Sequence, residues 1–278
     1  MKRVIFTARS SGTPTKGAAG AVSGLNASPG AFAGLLAALL LLAIAPAFTA
    51  PVLKGSVELS AERTVLDKRL APGNKFDSKL FGETQKEERW EQIPEWLAGT
   101  WKQSKRTRTF NKDEINKTVE EKPVTFQSVR TIKKGFQRKD GKIWDFFPTG
   151  VIESVASDFY TTYSYLMEND PITVSQEKVV AFRCTINVCV DNRQQIKDTY
   201  QTEEIESFIN DKSGVVRNEL KMRTFDMRGK PRATLELWSP LARVAPYADT
   251  AKYEGMDMNA SLARYLTMKA KSTPKPLK

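Results

Sequence analysis

Histidine is absent from the 278 residues of this chain, and cysteine occurs only twice. Without histidine, the chain lacks the commonest general base, the usual partner of a serine or cysteine nucleophile and the commonest metal ligand. Most hydrolase mechanisms and most zinc sites are thereby excluded, since two cysteines do not complete a four-coordinate zinc site. No glycine-rich phosphate loop or nucleophile elbow is present either. The sequence therefore predicts a protein that is not an enzyme and that has no metal and no cofactor.

Acidic residues are also missing from the start of the chain, where none precedes Glu58. Within residues 1–50 the only charged residues are Lys2, Arg3, Arg9 and Lys16. Residues 31–45 form an apolar run that is shorter than the roughly 20 residues a membrane-spanning helix needs. A small-x-small pattern follows at 45–47, as in signal peptides. We therefore expect a signal segment over residues 1–47, cleaved after Ala47 with Ala50 as the second choice, and an uncleaved N-terminal anchor is the alternative.

The segment before the apolar run, residues 9–30, is rich in hydroxyl residues and free of acids, as in organellar transit peptides. A transit peptide followed by an export signal indicates delivery to a thylakoid lumen, whereas a plain export signal indicates a periplasm. We expect an exported protein, in the thylakoid lumen of a plastid (a chloroplast protein) or of a cyanobacterium, with the periplasm as the alternative. Part of the formal net charge of +11 belongs to this leader.

From Gly99 onward, apolar and polar residues alternate with period two, which is typical of half-buried strands. In residues 216–224, for example, Val216, Leu220 and Met222 share one face, and charged residues take the other. Gly229 allows a tight reversal into the next strand. By this criterion strands are predicted at 99–110, 124–133, 143–147, 157–166, 172–182, 199–209, 216–224 and 233–238.

The short links between these strands favour an all-β fold, namely an antiparallel up-and-down β-barrel of about eight strands. The barrel domain is expected to span 97–245, behind the leader at 1–47 and a lead-in segment at 48–96. Within the lead-in segment, residues 61–70 indicate a helix. A C-terminal extension at 246–278 is predicted to contain one short helix at 259–268, with Asn259 as its N-cap.

Four segments carry a resemblance to a known family, namely PEWLAGTWK at 94–102, PVTFQSVR at 123–130, YQTEEIESF at 200–208 and RNELKMRTFDMRGKPRATLE at 217–236. A Gly-x-Trp that enters the first strand is similar to the opening of lipocalin-type barrels. Together the four segments resemble an uncharacterised lipocalin-like family of exported cyanobacterial and plastid (thylakoid lumen) proteins. The resemblance covers residues 95–238, and the segment at 151–198 departs from it. It implies a lipocalin/calycin-like fold and a compartment, and no catalytic residues.

Cys184 and Cys189 are the only cysteines, and an even number in an exported chain favours a disulfide. Along a straight strand their Cα atoms would lie about 16 Å apart, whereas a disulfide needs about 4.4–6.8 Å. A bond between them therefore requires a reversal within 185–188. The alternative is two thiols on opposite faces of one strand, and the sequence leaves both alternatives open.

Three glutamates, Glu203, Glu204 and Glu206, lie close together on one predicted strand. Two of them could supply the pair of carboxyls that a glycosidase uses, but period two places Glu203 on the face opposite the other two. We interpret these acids as solvent-facing residues that pair across the sheet with cations of the next strand, namely Arg217, Lys221 or Arg223.

Basic residues are concentrated at 102–108 and at 133–139. These runs are interpreted as a solvated outer face of the barrel. If they bind a partner, an anionic membrane surface or an acidic protein is expected, at about 1 kcal/mol per well-placed charge for a membrane. No nucleic acid is expected as a partner, because the chain carries an export signal.

The interior of a small barrel either fills with side chains or holds one small apolar ligand. Tyrosine and phenylalanine are abundant at 159–165, so the expected ligand is a pigment, a quinone or a lipid. The alternative function is a non-enzymatic assembly or interaction factor, docked on a photosynthetic or envelope membrane complex. The candidates for the cavity lining are Trp101, Phe126, Trp144, Phe146, Tyr163, Tyr165, Leu220, Met222 and Trp238.

Overall fold

The computed structural model describes residues 58–81, 87–157, 159–211 and 214–272. The predicted signal segment at 1–47 lies outside these residues. In the described part of the chain the strands are β1 (Glu88–Ile93), β2 (Gly99–Asp113), β3 (Thr118–Glu120), β4 (Val124–Lys134), β5 (Gln137–Lys139), β6 (Lys142–Pro148), β7 (Ile152–Ala156), β8 (Tyr160–Val174), β9 (Lys178–Asp191), β10 (Ile196–Asn210), β11 (Val216–Phe225), β12 (Pro231–Ala245), β13 (Lys252–Tyr253) and β14 (Met256–Asp257). One α-helix, α1 (Met258–Ser272), follows them.

Antiparallel pairing joins most of these strands into one large sheet, in the order β3-β2-β12-β11-β10-β9-β8-β7, with β4 also paired to β2. From β7 to β12, each strand pairs with the next one along the chain. The strands at the two ends of the sheet are not hydrogen-bonded to each other within the described residues. The all-β antiparallel class and the C-terminal helix are thus confirmed. The sheet is a curled half-barrel, and in this respect it differs from the closed barrel expected from the sequence.

All eight predicted strands fall on strands of the structure, but the boundary between β8 and β9 is displaced. The cluster Asn169-Asp170-Pro171, which falls between the predicted strands at 157–166 and 172–182, lies inside β8, and the chain reverses after Val174. Pro171 lacks a backbone N–H and is tolerated because the pairing of β8 with β9 is irregular between Pro171 and Thr173.

An ion pair across the large sheet shows which way the sheet curls. Arg130 on β4 and Glu206 on β10 approach to 3.7 Å between Nη1 and Oε1. Three strands lie between β4 and β10 in the sheet order, so a flat sheet would separate the two backbones by about 19 Å. The contact therefore requires the sheet to curl toward the face that bears both side chains. We call this face the concave face and the opposite one the convex face.

A second, three-stranded sheet, with the order β1-β6-β5, covers one end of the concave face. Ile93 and Ile143 on its inner side belong to one buried cluster with Val179, Phe208 and Leu241 of the large sheet. These three residues lie near the ends of their strands, so the small sheet covers the end of the half-barrel and leaves the middle of the concave face uncovered.

The outer side of the small sheet packs against helix α1. Trp90 and Phe146, which are partners in the β1–β6 register, form a buried cluster with Met258 and Leu262 of the helix. The indole Nε1 of Trp90 donates a hydrogen bond to Ser261 Oγ at 3.0 Å. The small sheet is therefore buried on both sides, which explains how it can hold its position with only three strands.

The part of the lead-in segment that precedes β1, residues 58–81, crosses the convex face of β8 to β10. Its apolar residues, among them Leu70 and Phe76, form a buried cluster with Val188 and Ile196 of the large sheet. The helix indicated at 61–70 is not formed, apart from a 3₁₀ turn at Lys68–Leu70. The backbone N–H groups of Arg63 and Leu66 donate instead to carbonyls of the 226–230 turn, so they are not available for a helix.

We predict that Gly229→Ala destabilises the fold by about 3 kcal/mol or more, since Gly229 has φ +77° and an added Cβ would collide with the backbone of Arg63. Gly141→Ala is the matched control, because Gly141 has φ +74° with open space around it, and about 1 kcal/mol is expected there. Urea unfolding at neutral pH measures both. Equal effects in the two variants would show that the lead-in contact is not needed.

Candidate ligand-binding site

The acidic strand β10 presents its three glutamates to two separate environments. Glu204 and Glu206 lie opposite Met222 and Leu220 in the β10–β11 register and therefore face the concave side, whereas Glu203 faces the convex side. Glu203 is 0% exposed and Glu206 is 5% exposed. The interpretation of these acids as solvent-facing is therefore wrong for these two. The expected cross-strand partners bind elsewhere, with Arg217 paired to Glu219 and Lys221 paired to Glu236.

On the convex side, Glu203 is held by the lead-in segment. Its carboxylate accepts hydrogen bonds from the backbone N–H and the hydroxyl of Ser60, both at 2.7 Å, and from Arg63 Nη1 at 2.9 Å. Arg63 Nη2 also donates to Glu168 Oε1 at 3.2 Å. These contacts satisfy a carboxylate that is fully buried, so Glu203 has a structural role in fixing the lead-in segment.

On the concave side, two glutamates face three arginines from three other strands. Arg183 on β9 donates to Glu204 Oε2 at 2.8 Å and lies 3.3 Å from Glu206 Oε2. Glu206 is also paired with Arg130. Arg106 on β2 donates from Nη2 to Gln103 Oε1 at 3.1 Å. We call Arg106, Arg130 and Arg183 the arginine cluster.

Burial and charge set the protonation of this group. Burial disfavours the ionised form of Glu206, but Arg183, Arg130 and Lys134 outweigh it and lower its pKa from 4.5 to about 2. Burial also disfavours the charge of Arg183, yet Glu204 and Glu206 hold its pKa above the ordinary value. The pKa of Arg106 is lowered, by burial and then by the like charge of Arg130. Arg106 is thus the cation that its surroundings stabilise least.

Sequence reasoning missed the arginine cluster. Arg106 belongs to the basic run at 102–108, which was interpreted as a solvated outer face. A register shift between Gln103 and Lys105 in the β2–β4 pairing changes the alternation, so that Gln103 and Arg106 both face the concave side while Lys105 faces outward. A β-bulge of this kind leaves no signal in the spacing of charged residues.

Apolar side chains adjoin the arginine cluster on the same face. Leu220 and Met222 on β11 lie opposite Leu237 and Leu235 on β12. Phe126 on β4 lies opposite Arg106 and is 43% exposed. Leu220 and Leu237 are buried, whereas Met222 and Leu235 are partly exposed. This part of the concave face therefore combines some exposed apolar surface with buried positive charge.

Farther from the small sheet, the concave face opens into a cavity of about 400 Å³. Its lining includes Thr224 and Ala233. Thr224 lies two residues after Met222 on β11, and Ala233 lies two residues before Leu235 on β12, so both are on the concave face. Burial raises the pKa of Tyr200, another lining residue. The apolar surface thus continues toward an open end with mixed polarity.

The nine residues predicted to line a cavity do not come together in one place. Leu220, Met222, Phe126 and Trp101 lie on the concave face, but Trp101 is 1% exposed and belongs to the cluster beneath the small sheet. The other five face elsewhere: Trp144 and Phe146 pack against α1, Tyr163 and Tyr165 pack against the lead-in segment, and Trp238 lies on the convex face near Arg217.

Both cysteines are free thiols on the continuous strand β9. Cys184 lies opposite Glu203 in the register and faces the convex side, whereas Cys189 faces the other side. The structure therefore has the second of the two arrangements that the sequence left open. Arg63 Nη2 lies 3.1 Å from Cys184 Sγ. Burial nevertheless dominates and raises the pKa of the Cys184 thiol to about 12.

No family model matches the chain, and neither a curated protein nor a solved structure matches it. In the part of the chain that the structure describes, no helix has the length and apolar character needed to cross a bilayer. Within the same residues, no group of three or more Cys, Asp or Glu side chains is placed to hold a metal ion.

We predict that only one thiol of the native protein reacts with a disulfide reagent such as DTNB at pH 8. Cys184 is 0% exposed and stays protonated there, whereas Cys189 is partly exposed. Denaturation should release the second thiol. The variant Cys189→Ser is the control and should show no fast reaction. An intact mass that fits a disulfide, with no thiol released on denaturation, would contradict the structure.

We predict that Glu206→Gln lowers the free energy of unfolding by about 3–5 kcal/mol at pH 7, since it leaves buried arginines without their counter-charge. The pKa of Glu206 is depressed to about 2, so its stabilisation is complete above pH 4.5 and is lost as the pH falls toward 2. The difference between wild type and variant should therefore shrink across that window in denaturant titrations. In contrast, Glu219→Gln removes an exposed ion pair and should change stability by less than about 1 kcal/mol at either pH.

Proposed function

We propose that this protein is a non-enzymatic, exported binding protein that holds a small apolar molecule against the concave face of its half-barrel. The observation that carries the proposal is the partly exposed apolar surface of Met222, Leu235 and Phe126 on the inside of a curled sheet, with Leu220 buried beside it. Burying an apolar ligand there removes both surfaces from water, which is the main driving force for binding of this kind.

The layout of the half-barrel supports this use. One end is covered by the small sheet, and the other leads into the cavity of about 400 Å³, within the range of about 300–1,000 Å³ that is common for ligand pockets. A ligand would enter from the open end and lie along β11 and β12. A pigment, a quinone or a lipid has suitable dimensions and polarity.

The compartment and the family are parts of the same proposal. The leader at 1–47 supports export, with the thylakoid lumen of a plastid or cyanobacterium ahead of a periplasm. The PEWLAGTW-type start supports a lipocalin-like origin of the half-barrel. Quinones and pigments are present in a photosynthetic compartment and would be accessible to the protein there.

A second candidate function, an interaction or assembly factor at a membrane complex, is favoured by one other surface. Helix α1 has basic residues in its last turn, and Lys139 and Lys271 line a groove of about 650 Å³ together with Leu266. Met268 on the same helix is 59% exposed. Basic and apolar residues on one helix suit an anionic membrane surface or an acidic partner protein.

Titration of the protein with N-phenyl-1-naphthylamine, a neutral apolar fluorophore, tests the first proposal. We predict saturable binding that Met222→Gln weakens by about 1 kcal/mol, roughly fivefold. Lys221→Gln, the next residue on the opposite face of β11, is the control and should bind as wild type does. Absence of saturable binding, or an equal loss in both variants, would overturn the proposal.

Native mass spectrometry of protein purified from its own membranes separates the two functions. A retained apolar adduct supports ligand binding, whereas a co-purifying subunit supports the interaction factor. Co-sedimentation with anionic but not neutral liposomes would likewise favour the second function.

A further inference from the structure

Arg106 has the least compensated charge on the concave face. Its Nη2 donates to the neutral amide oxygen of Gln103, and its Nε is buried without a hydrogen-bond partner. The two glutamates of the group, Glu204 and Glu206, form their ion pairs with Arg130 and Arg183 and act on Arg106 only as more distant charges. A buried cation without a counter-charge is unfavourable, so this position favours an anion.

The rest of the arginine cluster also has unmet hydrogen-bonding capacity. Glu204 and Glu206 form the ion pairs of Arg130 and Arg183, and Glu153 adds a more distant attraction on Arg183, but the Nε of Arg183 is buried without a partner. The side chains of Arg130 and Arg183 retain 32% and 25% of their exposure. An anion can therefore reach the cluster from the concave side, and a partly buried site strengthens its attraction.

We propose that the ligand of the concave face is an organic acid, whose carboxylate is bound by the arginine cluster and whose apolar chain lies along Phe126, Met222 and Leu235. This inference rests on the proposed binding function and adds the chemical class of the ligand. Guanidinium groups bind carboxylates through two parallel N–H···O bonds, and the added negative charge supplies a close counter-charge to Arg106, whose Nη2 donates to a neutral amide.

The neighbours of Arg106 favour an acid with an apolar chain over a small inorganic anion. Phe126 lies directly opposite Arg106 between β2 and β4, and Leu237 lies opposite Arg108 one step farther along β2. Leu237 is already buried, but Phe126 is 43% exposed, and a small anion would use the charges and leave Phe126 in water. A chain that continues from the carboxylate covers Phe126 and extends toward the open end of the half-barrel.

The test compares cis-parinaric acid, a fluorescent fatty acid, with its uncharged methyl ester on the full chain. Wild type should bind the acid at least tenfold more tightly than the ester. Arg106→Gln should remove this preference by weakening the acid about tenfold, and it should leave the ester within twofold of wild type. Lys105→Gln is the matched control, because Lys105 is exposed and adjacent on β2 but faces outward, and it should retain the preference.

The outcomes separate this inference from the proposed function. If wild type binds acid and ester equally, the apolar site stands and the acid is excluded; if it binds neither, both proposals fail. An Arg106→Gln variant that folds normally by thermal melting and keeps the preference would overturn the role of the cluster. If millimolar inorganic phosphate, which has no apolar chain, displaces the acid, the site binds small anions, and the inference is overturned as well.

Discussion

The ion pairs of Glu206 connect opposite arms of the curled sheet, and much of the structure depends on them. Arg130 on β4 and Arg183 on β9 meet this one carboxylate from either side, although in the sheet order four strands, β2, β12, β11 and β10, lie between β4 and β9. A flatter sheet would pull Arg130 away and leave the buried carboxylate with Arg183 of the adjacent strand alone, which weakens the compensation of a buried charge. The curvature, the position of the small sheet over one end and the shape of the uncovered surface are therefore coupled to a single buried carboxylate.

Strand β10 carries this coupling because it is buried on both faces. Glu206 is bound on the concave side by the arginine cluster, and three residues away Glu203 is bound on the convex side by Ser60 and Arg63 of the lead-in segment. The two networks share a strand and have no side chain in common. The lead-in segment can therefore be regarded as a convex-side support, and the concave face remains free for a different task.

The sequence was sufficient for eight of the strands, because period two depends only on the backbone pleat, whereas β1, β3, β5 and β7 were not predicted. It correctly separated Glu203 from Glu204 and Glu206, and it located helix α1. Closure of the sheet could not be predicted, since the alternation is the same in an open and a closed sheet.

The burial of the acids was missed because a solvent-facing strand and a strand that is buried on both faces with paired charges have the same sequence pattern. Arg106 was missed because of the register shift at Gln103 and Lys105. Tyr163, Tyr165, Trp144 and Phe146 do not line one cavity, because two other elements cover them. Residues of the lead-in segment pack on the two tyrosines, and α1 packs on Trp144 and Phe146. The sequence did not predict that either element packs against aromatic side chains.

Stability alone does not account for the composition of the concave face. Replacing buried ion pairs by packed apolar residues is often neutral or stabilising, and Leu220, Met222, Leu235 and Leu237 already provide apolar surroundings on this face. Buried arginines and carboxylates are less favourable there than a filled core, and the Nε atoms of Arg106 and Arg183, which have no hydrogen-bond partner, add to the penalty. In a barrel with a solid core these charges could be replaced by apolar residues without loss of packing. In the proposed binding function they have a role, because the unpaired Nε atoms and the charge of Arg106 would form favourable interactions with a bound acid.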